Sequence, residues 1–359
     1  MGAIQVPPGG FRRIAVLRLS SLGDVVLALP AVRALAHAFP GACLEFWTKE
    51  EYGDAVRFEP AIQRLRVLER DARRLEDLVS MSSELEECDL IVDLHGSLRS
   101  RVLCFRQKAT VLRVRSSRLL RARWVHARWS RPRPVRPALE RYAATLARLG
   151  IEVDGLPRVE AGEEAEAWAG AWAGAWLASW PGAAAPVALC PGARHPTKRW
   201  PEAHWIALDR ALRERGLHRL VIALESERRA LPGWSAALEG DARARWVSEP
   251  VPRLAALLSR CRAAVSGDSG LMHLAAARGL EVVALFGSTA PELGFAPAGP
   301  GHEVLCRHEP CQPCTLHGRE RCPRGHFRCM VELGPAPVLA ALDRVLARRR
   351  LVDAPGAPL

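Results

Sequence analysis

The sequence lacks the features that would place a protein in a membrane or in the secretory pathway. No apolar stretch reaches the roughly 18 residues that a membrane span needs, and the N-terminus lacks the apolar core of a signal peptide. The chain has 359 residues, of which 49% are hydrophobic and 25% are charged. This composition is ordinary for a globular protein, and the length predicts two domains. We therefore expect a cytoplasmic protein with two hydrophobic cores.

Acidic residues are almost absent from one long stretch, which we call the basic segment. Residues 99–141 contain 14 Lys and Arg but a single acid, Glu140. This density of positive charge predicts an anionic partner or an anionic surface. Aromatic residues are few there and form no motif for stacking on single-stranded nucleic acid. Nucleic acid, anionic lipid head groups and a phosphorylated saccharide all remain open as partners.

Cysteines are scattered, and only the last five of the ten cluster. In a reducing compartment such cysteines are expected to be thiols or metal ligands rather than disulfides. Cys311 and Cys314, followed by Cys322 and Cys329, match a zinc ribbon in ligand count and in the spacing of the first pair. The second pair is more widely spaced than in a zinc knuckle. Cys306, His308, His317 and His326 could also serve as ligands. Structural zinc therefore stays open as the less favoured alternative to free thiols or a redox-sensitive loop, and we expect no cofactor.

Strand and helix patterns alternate in both halves of the chain. The segment 14–36 begins as an apolar run, is interrupted by a short polar loop and continues with helical periodicity. Further strands are predicted at 43–48, 64–68, 90–94, 187–190, 219–224, 263–266 and 282–286. Helices are predicted at 71–87, 139–149, 201–215, 228–240 and 270–278. This alternation predicts an α/β protein with two doubly wound sheets, joined by a linker at 150–157.

Four tryptophans recur every four residues in the low-complexity stretch 163–182. They are Trp168, Trp172, Trp176 and Trp180. At this spacing the indoles share one broad face of a helix, and we expect that face to pack on its own domain. The alternative, a helix lying in a membrane interface, is disfavoured because the stretch contains no Lys or Arg.

The polar loop after the first strand carries Asp24. Ligands of doubly wound sheets bind at the carboxyl ends of the strands, and the loop places Asp24 at such an end. An acid in this position can cap the following helix, act as a general base, or do both. The residues of this loop alone leave these roles open.

Two segments of the second half have the character of phosphate-binding loops. After the strand ending at Cys190, a loop at 192–197 is followed by Lys198 and Arg199 and then by a helix. The stretch SGDSGLMHLAAARG, residues 266–279, brings a strand directly into the start of a small-residue helix. Backbone N–H groups at such helix starts bind anions. Neither loop has the spacing of a Walker A motif, but together they suit a diphosphate.

Taken in order, these segments resemble glycosyltransferase family 9, the lipopolysaccharide heptosyltransferases. The matching stretches are RLSSLGDVVLALPAVRAL, DLIVDLHGSLRSR, PGARHPTKRWP, GDSGLMHLAAARG with LFGST, and CQPCTLHGRERCPRGHFRCM. The resemblance implies the GT-B architecture: two Rossmann-like domains that face each other across a cleft, with the acceptor on the first and the nucleotide sugar on the second. It implies inverting transfer of heptose from ADP-heptose to Kdo–lipid A or to a heptose already attached there.

Roles for individual residues follow from the resemblance. Asp24 would be the general base, and Lys198 would neutralise the diphosphate of the leaving nucleotide. The residues implied in nucleotide-sugar binding are Gly192, Ala193, Arg194, Thr197, Glu225, Asp268, Ser269, Gly270 and His273, with Glu227 as the alternative to Glu225 for the ribose contact. The residues implied in acceptor binding are Ser21, Gly23, Asp93, His95, Arg99 and Arg101.

The resemblance also implies partners, location and domain limits. We expect residues 1–157 to bind the acceptor and residues 158–335 to bind the nucleotide sugar, with 336–359 as a helix and tail that packs back on the N-terminal domain. The partners would be ADP-heptose and a phosphorylated glycolipid, met at the inner face of the cytoplasmic membrane. Two alternatives remain: a related transferase that uses another nucleotide sugar, and a basic nucleic-acid-binding module without enzymatic activity.

Overall fold

The computed structural model describes residues 4–68, 75–127 and 133–352. The chain forms two compact units. The first comprises Met1–Ser117 and Arg136–Glu160, and the second comprises Arg118–Val135 and Ala161–Leu359. The expected boundary near residue 157 therefore needs a correction, because 118–135 belongs to the second unit. Apolar contacts explain this assignment: Trp124 and Val135 pack with Leu293 in one buried cluster.

The first unit contains a parallel sheet of five strands in the order β3-β2-β1-β4-β5. The strands are β1 Arg13–Leu17, β2 Cys43–Lys49, β3 Arg64–Leu68, β4 Leu90–Asp93 and β5 Thr110–Arg113. Strand β1 is central, with Leu17 beside Trp47 of β2 and Asp93 of β4. Its side chains from Ile14 to Leu17 are fully buried, as expected of a parallel strand covered on both faces.

The helices of the described residues lie between the strands or beside them. They are α1 Leu22–Val26, α2 Leu29–Ala38, α3 Glu50–Gly53, α4 Leu75–Ser82, α5 Leu98–Leu103, α6 Arg118–His126, α7 Ala138–Leu146, α8 Glu163–Leu177, α9 Glu202–Glu214, α10 Glu225–Arg229, α11 Pro232–Leu238, α12 Val251–Leu258, α13 Gly270–Ala277, α14 Arg328–Val331 and α15 Pro335–Val352. No helix in these described ranges is both long enough and apolar enough to span a membrane.

Three predicted helices differ from the structure. The first, expected to run unbroken to residue 36, is split into α1 and α2, and Pro30 lies in the first turn of α2, where its missing N–H costs nothing. The helix expected at 228–240 is likewise α10 and α11, with Pro232 opening the second. Of the helix expected at 71–87, the structure shows α4 and a short 3-10 turn, while residues 71–74 lie outside the described residues.

The second unit contains a parallel sheet of six strands in the order β11-β10-β9-β6-β7-β8. The strands are β6 Val187–Cys190, β7 Arg219–Ile222, β8 Ala244–Val247, β9 Ala263–Gly267, β10 Val282–Phe286 and β11 Glu303–Cys306. Strands β5, β8 and β11 were not predicted from the sequence. All three lie at a sheet edge and have half-exposed positions, so they lack the continuous apolar run of a buried strand.

Helix α15 packs on the second sheet, which corrects the expectation that it returns to the N-terminal domain. Val338, Leu342 and Val345 share a core cluster with Val283 and Leu285 of β10. Their spacing of three and four residues puts them on one face of α15, and that face is apolar. Residues 353–359, the expected tail, lie outside the described residues.

The tryptophan-rich helix α8 packs on its own unit with its tryptophan face, as expected: the Trp176 indole donates to the Ala242 carbonyl at 2.9 Å, and Trp176 and Trp180 both lie against His218. Its buried residues are Ala165, Ala169, Ala173 and Trp176, and it lies against α12. Small side chains at this contact allow the two helices to approach closely. Trp168 stays half-buried, with the guanidinium of Arg253 4.5 Å from its ring centre.

Candidate active site

Asp24 lies in the first turn of α1, directly after the loop that ends β1. Its Oδ2 is 2.5 Å from a guanidinium nitrogen of Arg18, and the Ser21 hydroxyl donates to the same oxygen at 3.3 Å. The Asp24 side chain is 22% exposed, whereas that of Arg18 is 9% exposed. The structure therefore presents a carboxylate that is ion-paired with a buried arginine and is still accessible to solvent. Sequence reasoning missed Arg18.

Asp93 is fully buried at the end of β4 and organises the loop that follows. It accepts hydrogen bonds from the backbone N–H groups of His95 and Gly96 at 3.1 and 2.8 Å. The Ser100 hydroxyl and the guanidinium of Arg113 donate to its other oxygen at 3.0 and 2.6 Å. These bonds occupy both oxygens, so Asp93 positions its loop and does not present a ligand surface of its own.

The other residues expected to bind the acceptor follow these two loops. Gly23 is buried inside α1 and Ser21 is exposed just before it. His95 and Arg99 are half-buried after β4, and Arg101 is exposed on α5. The structure thus places them near the carboxyl ends of the adjacent strands β1 and β4 of the first sheet.

Part of the basic segment is committed to internal contacts. Arg113 pairs with Asp93, Arg141 donates to the Ser117 hydroxyl at 3.1 Å, and Arg121 donates to the carbonyl of Leu293 at 3.1 Å. Residues 128–132 lie outside the described residues. A count of positive charge in the sequence therefore overstates the charge that this segment can offer to a partner.

Lys198 and Asp268 form an ion pair in the second unit. Lys198 Nζ lies 2.8 Å from Asp268 Oδ2, and the side chains are 15% and 7% exposed. The Thr289 hydroxyl donates to the same oxygen at 2.6 Å. Asp268 follows β9 and Thr289 follows β10, while Lys198 comes after β6. The carboxyl ends of these neighbouring strands meet at one edge of the sheet, so the predicted pairing of the two loops is confirmed in space.

Helix α13 begins directly beside this pair. Ser269 precedes it with extended backbone, and its side chain makes no capping hydrogen bond. The Ser269 hydroxyl lies 3.3 Å from that of Ser266. Gly270 is the first helical residue, and His273 is buried one turn later. The helix thus directs its first N–H groups toward the region of Lys198, and such N–H groups favour anions.

The loop after β6 is held in place by its own contacts. A Cβ on Gly192 would overlap the carboxylate of Glu227, so a larger residue there would require that side chain to move. The carbonyl of Ala193 accepts from Arg199 at 2.8 Å, whereas Arg194 is exposed. Close packing at Gly192 therefore ties this loop to the turn that carries Glu227.

The two acids considered for the ribose contact differ in position. Glu225 is exposed at the start of α10, whereas Glu227 is half-buried and accepts the backbone N–H of Leu224 at 3.0 Å. Only Glu227 has its carboxylate against Gly192, in the loop that leads to Lys198. The structure therefore favours Glu227 over Glu225 for a contact with a ligand of that loop.

Thr197 supports the loop and has no hydroxyl capacity left for a ligand. It is buried, donates to the carbonyl of Arg319 at 2.9 Å, and accepts from the Arg319 N–H at 2.8 Å. The Ser288 hydroxyl also donates to it at 3.0 Å. The family resemblance implied nucleotide-sugar binding for Thr197, whereas its hydroxyl here bonds Arg319, which lies 122 residues further along the chain.

The clustered cysteines surround one small cavity. It is lined by Cys311, Cys314, Cys322, Cys329 and His326, among others. Burial and then the neighbouring thiols raise the pKa of Cys329 to about 12, and the same causes raise the pKa of Cys314. Across the described ranges, no three His, Cys, Asp or Glu side chains are arranged as a metal-ligand group. The four thiols do come together, as their sequence spacing suggested.

Two Rossmann-like parallel sheets, one in each unit, match the two-domain α/β fold of GT-B glycosyltransferases. The predicted fold class is thus confirmed. Residues 78–322 match the profile of glycosyltransferase family 9 (heptosyltransferase). The chain belongs to this family, which confirms the family resemblance and the expectation of an enzyme.

Individual relatives extend the match beyond the profile. The chain is 30% identical over 375 residues to lipopolysaccharide heptosyltransferase 1 of Pseudomonas aeruginosa, covering 93% of this chain and 98% of the relative. A family 9 glycosyltransferase structure from Veillonella parvula superposes with a TM-score of 0.75 at 20% identity, over 94% of this chain and 98% of that one. The structure of heptosyltransferase II of Escherichia coli superposes with a TM-score of 0.68 at 20% identity, over 94% of this chain and 99% of that one.

Proposed function

We propose that this protein transfers a heptose, with inversion, from ADP-heptose to the Kdo–lipid A or inner-core region of lipopolysaccharide. Relatives described as lipopolysaccharide heptosyltransferases support this proposal. A heptosyltransferase of Escherichia coli solved with ADP-2-deoxy-2-fluoro heptose has the same fold, with a TM-score of 0.63 at 19% identity over 92% of this chain and 99% of that one. The observation that carries the proposal is the Lys198–Asp268 pair beside the start of α13.

On the donor side, positively charged groups bind the leaving nucleotide. Lys198 is the cation of the pair, and the N–H groups at the start of α13 add a positive electrostatic potential. Both stabilise the negative charge that develops on the diphosphate as the glycosidic bond breaks. Asp268, which accepts a hydrogen bond from Thr289, holds the lysine in place, and Glu227 binds the ribose hydroxyls. The transition state has oxocarbenium character at the anomeric carbon.

On the acceptor side, Asp24 is the general base. Its carboxylate accepts the proton of the attacking acceptor hydroxyl while that oxygen bonds to the anomeric carbon. Its partial exposure leaves it open to the acceptor, and the ion pair with Arg18 holds the carboxylate in place. His95, Arg99 and Arg101 contact the phosphorylated saccharide, and other arginines of the basic segment contact the anionic membrane surface.

Nucleotide binding and transfer test the proposed substrates. The purified protein is titrated calorimetrically with ADP, UDP, GDP and CMP, and then assayed with ADP-heptose and Kdo–lipid A. We expect selective binding of ADP and formation of the heptosylated product. A preference for UDP or GDP would contradict the donor, and binding of random duplex DNA with no nucleotide preference would instead support the nucleic-acid-binding alternative.

Asp24→Asn tests the base. The amide keeps the size of the side chain but accepts no proton, so we expect transfer to fall by at least roughly 100-fold while ADP affinity is unchanged. Asp54→Asn, which removes an exposed aspartate of the same unit, is the matched control and should be fully active. Full transfer activity in Asp24→Asn would refute the assignment.

A further inference from the structure

Arg18 is a buried cation that connects three elements of the first unit. It follows β1, and one guanidinium nitrogen donates to the carbonyl of Leu94 after β4 at 2.9 Å. The other terminal nitrogen pairs with Asp24 of α1 at 2.5 Å. The guanidinium carbon lies 5.9 Å from the ring centre of Tyr142 on α7. The residue is only 8% exposed, so its orientation is determined by these contacts.

The charges around Arg18 favour its protonated form. Burial is the largest influence and acts against the charge, yet the pKa of Arg18 is raised because Asp24, Tyr142 and Asp93 together outweigh it. The charge of Asp93 is shared with Arg113, which donates to it at 2.6 Å. Asp24 therefore faces a permanent positive charge at short range, on a guanidinium that is itself largely shielded from water.

We propose that Arg18 is a positioning residue for Asp24: its guanidinium holds the Asp24 carboxylate in one orientation and keeps it charged, while its bond to the Leu94 carbonyl ties the base to the loop that carries His95. This inference rests on the proposed role of Asp24 as general base. Only a planar fork with several donors can reach both the Leu94 carbonyl and the Asp24 carboxylate, which gives the position a specific requirement for arginine.

Two replacements of Arg18, one neutral and one that keeps the charge, separate the effect of its charge from the effect of its geometry. Arg18→Gln can still donate to the Leu94 carbonyl but has no charge. We expect kcat/KM to fall by about 10- to 100-fold because the base is misplaced. We also expect the acidic limb of the pH profile of kcat/KM to move to higher pH, because the carboxylate has lost its cation. Arg18→Lys keeps the charge without the fork, so its acidic limb should stay near that of the parent protein while kcat falls at least tenfold.

The measurements are pH profiles of kcat/KM and kcat, together with the dissociation constant of ADP, which should not change in either variant. An unchanged profile and kcat in folded Arg18→Gln would overturn the inference. If Arg18→Gln does not fold, Arg18→Lys decides, since a kcat equal to that of the parent protein would also overturn it. Asp24→Asn separates the two proposals: if it is fully active the base assignment fails, and if it is inactive while the Arg18 variants behave normally only this inference fails.

Discussion

Replacing Lys198 with methionine gives the most direct test of the donor site. The variant removes the ammonium group that lies 2.8 Å from Asp268 and leaves that carboxylate, 7% exposed, with the Thr289 hydroxyl as its remaining described partner. Breaking a fully buried ion pair costs about 3–5 kcal/mol. Because Lys198 keeps some contact with water, we expect the free energy of unfolding to fall by about 2–3 kcal/mol.

The same variant should lose affinity for ADP. A hydrogen bond from a charged donor contributes about 1.5–3 kcal/mol to binding. Its loss corresponds to a dissociation constant for ADP that is roughly 10- to 150-fold higher. The salt dependence of binding should also become shallower, since one charge contact with the diphosphate is removed. Calorimetric titration with ADP at two salt concentrations measures both effects.

Two further proteins control this experiment. Lys108→Met removes an exposed lysine of the first unit and should leave ADP affinity and stability unchanged. Lys198→Met/Asp268→Asn removes both charges and should recover most of the lost stability, because no unpaired buried carboxylate remains. Unchanged ADP affinity in Lys198→Met, or equal weakening in the Lys108 control, would refute the role of Lys198.

Two other predictions concern acid stability and the thiols. Burial lowers the pKa of His302, whose Nδ1 accepts the N–H of Val282 at 3.1 Å. On acidification the unfolded chain therefore binds a proton at a higher pH than the folded chain does, and the free energy of unfolding falls as the pH drops below about 6.5. His302→Gln should reduce this fall in urea unfolding between pH 7.5 and 5.5, and an equal fall in both proteins would contradict the assignment. The raised pKa of Cys329 predicts reaction with a disulfide reagent only after unfolding. We also expect less than one zinc per purified chain, and a stoichiometric zinc that is lost in Cys329→Ser would disprove this.

Local patterns in the sequence were sufficient to predict the α/β class and the main strands. Strands β6 and β10 begin and end where their apolar runs do, because a strand buried on both faces must be apolar throughout. The loops after β1, β6 and β9 were identified for the same reason: each is a break in an apolar pattern. The positions of Asp24, Lys198 and Asp268 at strand ends followed from that.

The partners of these residues were determined only by the tertiary structure. Arg18 on the Leu94 carbonyl, Glu227 against Gly192, and Arg319 on Thr197 are contacts between segments whose separate patterns carry no record of each other. The same holds for α6, which belongs to the second unit because its apolar side chains meet Leu293. Periodicity reports which face of an element is buried, whereas the partner it meets depends on how distant elements pack together.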